Sequence, residues 1–301
     1  MSYFYLDTVN QSLKSSILEQ IYKKERQKYL DTLDAVAQVS LLLARENIIH
    51  AVFKTIRPYK STTVDIDIII FGNKKSYSKS VETLRQAGYR LVMRGPRSTT
   101  LWDQKASIGI DLYEQIAVSF ISYIDKEKLV PYIITKKLPN EMLVQTLKPE
   151  ADLACIIAHS VIKEQMYTLS EYYTFIHYVK QMNINNFLQI VKQNNITSAA
   201  RTHASITELL HKAAHNTIPI ELQQIIESLG KEKLETARLI KNYFKTPHKY
   251  HPITIAKFLL EILKGRKSRN SIALQIFHML NPNFNKDFFK AVVNHVIRET
   301  Y

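Results

Sequence analysis

Apolar residues recur at helical spacing along the early part of the chain. Leu13, Ile17 and Ile21 repeat every fourth position, and Leu33, Val36 and Val39 or Leu41 continue the stripe, so a helical stretch is expected over 9–49. The period then shortens. "HAVFKTI", 50–56, is β-rich and alternating, which predicts a strand broken by Pro58, with "RPYKSTT" as a turn or loop. "VDIDIIIFG" predicts a second strand ending at Gly72, and "YSKSVETLRQAGY" a helix from Ser78 or Ser80 to Gly88. "RLVMRGPRSTTLWDQKASIGIDLYEQ" predicts further strands with a turn at Gly95-Pro96. In it, Ile108, Ile110 and Leu112 fall on one face, with Gly109, Asp111 and Tyr113 on the other.

From Pro149 the pattern is helical throughout, from "PEADLACIIAHSVIKEQM" to "KDFFKAVVNHVIRET". Strands giving way to helices place a boundary near 140–148. The expected fold class is therefore α/β (α+β): a mixed sheet flanked by helices over 1–145, then an all-helical, basic C-terminal region over 146–301. There is no internal repeat of fixed period.

Composition adds limits. Apolar residues make up 46% and charged residues 23% of 301 positions, ordinary values for a globular chain. A single cysteine, Cys155, excludes an internal disulfide and fits a cytoplasmic setting. No apolar run approaches the roughly 20 residues that cross a bilayer, and "MSYFYLDTVNQSLKSS" has no signal-peptide core, so no membrane partner is expected. With six glycines in the chain, P-loop and dinucleotide-type phosphate cradles are absent. Forty-one Lys and Arg against 27 Asp and Glu leave +14, a field that attracts nucleotide phosphates and nucleic acid.

Two acids stand out against this background. Strands disfavour Asp, yet Asp65 and Asp67 sit in a Val/Ile run and project to one face, with Val64, Ile66 and Ile68 to the other. Carboxylates so placed repel one another unless a cation lies between them, and hard oxygen ligands suit Mg²⁺. Asp111, also on the polar face of its strand, is the natural third ligand. Three carboxylates holding two metal ions would serve phosphoryl or nucleotidyl transfer. Exposed acids on an edge strand are the plainer alternative for a bare D-x-D.

"AVFKTIRPYKSTTVDIDIIIFG", "GIDLYEQ" and "LKPEADLACIIAHSVIKEQM", covering about 45–166, together resemble the DNA polymerase β-like nucleotidyltransferase superfamily, most closely its small prokaryotic members. The resemblance implies a nucleotidyltransferase-like sheet. It also implies that Asp65 and Asp67 bind two Mg²⁺ ions (Mn²⁺ also suits) and that Asp111 completes the site and orients or deprotonates the acceptor hydroxyl. The superfamily's Gly-Ser phosphate turn is replaced here by "KTIRPYKSTT", in which Lys54, Arg57, Ser61 and Thr62 offer charge and hydroxyls to a triphosphate. The implied activity moves a nucleoside monophosphate from an NTP to a hydroxyl acceptor. The glycine-free turn also admits a second function, nucleic-acid binding by a chain that keeps the fold without turnover.

Other clusters are weighed the same way. The segment 231–270 carries eleven Lys and Arg against Glu232, Glu235 and Glu261, with Tyr243, Phe244 and Tyr250 interleaved. Lys241, Lys245, Lys249, Lys264, Arg266, Lys267 and Arg269 are its candidate nucleic-acid contacts, RNA (tRNA included) rather than DNA, with "KGRKSRN" joining two helices. Arg90, Arg94 and Arg97 read as a solvated hairpin. Asp152, Cys155 and His159 share a helix but lack further zinc ligands, so a buried thiol and a hydrogen-bonded histidine are expected.

Overall fold

The computed structural model describes residues 16–230, 249–282 and 284–286. It divides into two compact units. One holds the described residues up to Ile116 together with Lys126–Lys148, and the other holds Ala117–Asp125 with the described residues from Pro149 onward.

In the first unit, helix α1 (Ser16–Arg45) precedes strand β1 (His50–Val52), β2 (Asp65–Ile70), helix α2 (Lys74–Gln86), β3 (Arg90–Arg94), β4 (Ser98–Asp103) and β5 (Ile108–Tyr113). The chain then runs through the short strands β6 (Ile116–Val118) and β7 (Ile121–Ile124), which belong almost wholly to the second unit, before a 3₁₀ helix (Lys126–Tyr132) leads to β8 (Ile133–Lys137) and β9 (Leu143–Leu147) of the first. Seven strands form a mixed sheet in the order β3-β4-β5-β2-β1-β9-β8, and β6 pairs with β7 in a separate ribbon. β2 runs parallel to β5 and antiparallel to β1, and β4 is antiparallel to both its neighbours.

One sheet face is apolar. Ile66, Ile68 and Ile70 of β2, Ile108, Ile110 and Leu112 of β5, and Leu101 of β4 form a core with Leu33, Val36, Val39 and Leu43 of α1 and Val81 and Leu84 of α2. Burying these side chains, at about 1.5–3 kcal/mol each, holds helices and sheet together. Strand alternation then sends Asp65, Asp67 and Asp111 to the opposite face.

Several elements differ from the sequence expectation. The buried stripe of α1 starts at Leu33, while Ile17 and Ile21 are 68% and 43% exposed, and Leu13 lies outside the described residues. Val39 rather than Leu41 continues that stripe. Val64 does not pack with Ile66 but stands 79% exposed, because β2 begins one residue later. α2 starts at Lys74 rather than Ser78 or Ser80, since the Asn73 side chain caps it by accepting from the Lys75 and Ser76 amides. β1 stops at Val52 instead of Ile56: Lys54 takes a left-handed backbone, φ 59°, and the Thr55 amide turns back to donate to the Phe53 carbonyl.

His50 on β1 is fully buried. Its Nδ1 donates to the Ile48 carbonyl at 2.9 Å, leaving Nε2 to accept from the Ser40 hydroxyl at 2.7 Å. Both bonds suit the neutral ring, and burial holds its pKa below the ordinary histidine value, partly offset by the Ile48 bond. The unfolded ring titrates near about 6.5, so His50 contributes its full stability above that pH. As the pH falls below it, the unfolded chain takes up a proton first and stability drops. Melting curves between about pH 8 and 5 should therefore fall less steeply for His50→Gln than for wild type.

The second unit is helical around α3 (Pro149–His159), whose residues from Glu150 to Ala158 are all buried. A π-helical turn, Ser160–Glu164, follows. Then come α4 (Leu169–Val179), α5 (Ile184–Gln193), α6 (Thr197–His215), α7 (Ile220–Leu229), α8 (Pro252–Ile262) and α9 (Arg266–Met279). Acids inside α3 are paired: Asp152 accepts from the Tyr178 hydroxyl at 2.8 Å, and Glu150 from the Asn186 amide at 3.4 Å. His159 bonds Tyr123 and Glu164, and Cys155 is buried, as a structural role for these residues requires. Among the described residues no helix is long and apolar enough to cross a membrane.

Candidate active site

The acid face is built by register. In the parallel β2–β5 pair Asp67 stands opposite Asp111, and Asp65 opposite Gly109. One oxygen from each of Asp65, Asp67 and Asp111 can be chosen so that all three lie within 4.8 Å of one another. Asp67 is buried at 7% exposure, while Asp65 and Asp111 are half-buried. Gly109 keeps the space beside Asp65 open; a Cβ there would meet the Asp65 Cβ at 3.7 Å, an ordinary contact.

Neighbouring hydroxyls hold the acids in place. Thr100, paired with Asp111 across β4–β5, donates to its Oδ1 at 2.5 Å. The Asp67 amide donates to Thr55 Oγ1 at 2.8 Å, and Thr63 donates to the Asp65 carbonyl at 2.9 Å. Thr55 belongs to the Lys-Thr pair that precedes the acidic strand in sequence, whereas nothing local marks Thr100. Thr100 meets Asp111 only once β4 and β5 are paired in this register. Its hydroxyl fixes one carboxylate rotamer, so Thr100→Val should lower stability by about 1.5 kcal/mol, read by thermal melting, the cost of one lost hydrogen bond to a charged group. Thr100→Ser should restore most of that loss.

Lys54 comes to the cluster from the β1–β2 loop. Its ammonium lies 3.2 Å from Asp67 Oδ1, with both side chains buried, and above the rings of Phe53 and Tyr113 at 4.7 and 5.2 Å. Those rings meet edge to face at 5.3 Å. A left-handed lysine costs about 1–2 kcal/mol relative to ordinary backbone, which the pair and the rings offset.

The other loop residues are placed differently. Arg57 and Ser61 are half-buried, and the Thr62 hydroxyl donates to Glu25 of α1 at 2.9 Å, tying the loop to that helix. Arg90 and Arg94 are exposed on the hairpin, and Arg97 pairs with Glu114 at 3.5 Å. On α2, the Tyr77 hydroxyl donates to Thr99 at 2.7 Å, and burial raises its pKa above the usual phenol value despite that bond.

In the helical unit Lys249, Lys264, Arg266, Lys267 and Arg269 are all exposed, while Lys241, Lys245, Tyr243 and Phe244 lie outside the described residues. "KGRKSRN" is not purely a connection: Arg266, Lys267 and Arg269 occupy the first turn of α9. Cations at a helix N-terminus oppose its dipole, and Lys267 is offset there by Asp125 at 2.6 Å. Tyr250 is anchored, its amide donating to the Gln165 carbonyl and its ring packed against Tyr167. It is thereby a core residue and not a surface stacking platform.

No family model and no curated protein matches the chain. Solved structures similar to it include a nucleotidyltransferase-like antigen from Paracoccidioides brasiliensis, 13% identical over 56% of this chain and 91% of that one, TM-score 0.36. A STING-associated CdnE c-di-GMP synthase from Capnocytophaga granulosa is 12% identical over 91% of each chain, TM-score 0.35. The Thermotoga maritima CCA-adding enzyme, solved with tRNA, is 11% identical over 78% of this chain and 72% of that one, TM-score 0.25.

Proposed function

We propose that the chain is a metal-dependent nucleotidyltransferase that moves a nucleoside monophosphate from an NTP to a hydroxyl acceptor. The observation that carries this is the convergence of Asp65, Asp67 and Asp111 from two adjacent parallel strands. All three donors are hard oxygens, with neither histidine nor cysteine among them, which suits Mg²⁺ or Mn²⁺ rather than zinc. Two such ions, when bound, supply acidification of the acceptor hydroxyl and charge neutralisation at the phosphates.

The chain's own residues do the rest. Asp65 and Asp67 would hold the ions, and Asp111, fixed by Thr100, would orient the acceptor and receive its proton. The acceptor oxygen bonds to the α-phosphorus as the bond to the bridging oxygen breaks, and pyrophosphate departs with that electron pair. Lys54, Arg57, Ser61 and Thr62 are the loop groups proposed to meet the triphosphate, Thr62 also bonding Glu25. The +14 net charge and the exposed cations of the helical unit favour a polyanionic acceptor, and RNA is the one proposed.

Incubation with α-labelled NTPs, Mg²⁺ and total RNA tests this. Label should enter RNA and depend on metal. The glycine-free β1–β2 loop supports the second function, RNA binding without turnover, which predicts RNA binding with neither label transfer nor NTP binding. That result would overturn the enzyme.

A further inference from the structure

We propose that Lys54 is a resident counter-ion of the acidic cluster, displaced from Asp67 when a divalent cation binds and then taken up by the phosphates of the nucleotide. The inference rests on the metal-holding role of the three acids. Carboxylates this close repel unless a positive charge sits among them, and in this structure the ammonium of Lys54 supplies one, 3.2 Å from Asp67.

Its position is built. The backbone at Lys54 is left-handed, a conformation lysine seldom adopts. That turn ends β1 and aims the side chain back at β2. The faces of Phe53 and Tyr113 flank the ammonium, a favourable site for a buried cation. Thr55, the next residue, receives the Asp67 amide, so loop and acid are held as one piece.

A divalent ion bound by Asp67 brings two positive charges to within a few ångström of the ammonium. Repulsion then disfavours the present contact, and the flexible four-carbon stem lets the ammonium relocate without moving the loop. The anion that accompanies the metal is the triphosphate, so the charge that stabilises the metal-free site becomes a nucleotide contact. The exchange makes metal alone bind weakly and metal with nucleotide bind together, a coupling between two ligands.

Mn²⁺ binding followed by electron paramagnetic resonance, in the absence of nucleotide, tests the exchange. Lys54→Met should bind Mn²⁺ on the order of tenfold more tightly than wild type, because a competing cation is gone, whereas Lys54→Arg should not. A wild-type measurement covers the case in which Lys54→Met fails to fold. Acetylation of Lys54, read by mass spectrometry, should rise several-fold as Mn²⁺ saturates the site and fall again when NTP is added. Equal or weaker Mn²⁺ affinity in folded Lys54→Met, or Lys54 labelling that ignores Mn²⁺, overturns the proposal while leaving the metal site intact. Wild type that binds no more Mn²⁺ than Asp65→Asn overturns the metal site, and this proposal with it.

Discussion

Asp65→Asn is expected to lower nucleotidyl transfer on the order of 10³-fold while the metal-free protein melts at the wild-type temperature or above it. Asparagine keeps the shape of the side chain and one oxygen, so β2 and its pairing with β5 are undisturbed. What disappears is one of three negative charges gathered within 4.8 Å. In the proposed reaction that charge holds cations, and without them it is a source of repulsion. Activity lost without stability lost is the mark of a group retained for function.

Asp67 should behave differently. It is buried and paired with Lys54, so Asp67→Ala takes away the carboxylate 3.2 Å from a buried ammonium while Asp65 and Asp111 remain nearby. Activity should fall as for Asp65, and stability should fall too, by about 1.5–3 kcal/mol. Label transfer and calorimetry on the two variants separate these effects. An Asp65→Asn protein that still transfers label near the wild-type rate would remove the acids from the reaction.

The second large effect concerns Lys126, a charged side chain that is only 1% exposed. Its ammonium donates to the carbonyls of Ile70 at 2.8 Å and Gly72 at 3.0 Å, closing the C-terminal end of the strand that carries Asp65 and Asp67. Lys126→Met keeps the stem and deletes both bonds, of which the one to Ile70 is buried and the one to Gly72 part-buried. The expected loss is about 3 kcal/mol, or a fall in melting temperature of roughly 6–12 °C. Because the acids sit at the other end of β2, transfer at low temperature should be largely kept. Calorimetry that finds an unchanged melting point would show that the two bonds contribute nothing net.

Particular residues show how far sequence alone reached. The alternation in "VDIDIII" and "SIGIDLY" put Ile66, Ile68, Ile108, Ile110 and Leu112 on one face and the three acids on the other, and burial follows that division. Such patterns are local: successive strand residues must point to opposite sides whatever the strand meets. Errors fell where a distant group decided the outcome. Val64 was assigned to the core, yet β2 starts only where β5 begins to pair with it. α2 is the exception, its start at Lys74 being set locally by the Asn73 side chain just after Gly72. Lys54 was expected within a strand, and it instead turns left-handed under the combined hold of Asp67, Phe53 and Tyr113.

By itself, then, the sequence determined the period of each element, the chemistry of each face and the surplus of positive charge. Those properties belong to neighbouring residues or to the chain summed as a whole. Only the tertiary structure decided that β5, some forty positions along the chain, lies beside β2 in the register that sets Asp111 against Asp67. It also decided that Thr100 and Lys54 complete that cluster. Contacts between residues distant in sequence follow from which strands pair and where. That choice is made by packing the whole apolar face under α1 and α2, which no short stretch of residues encodes.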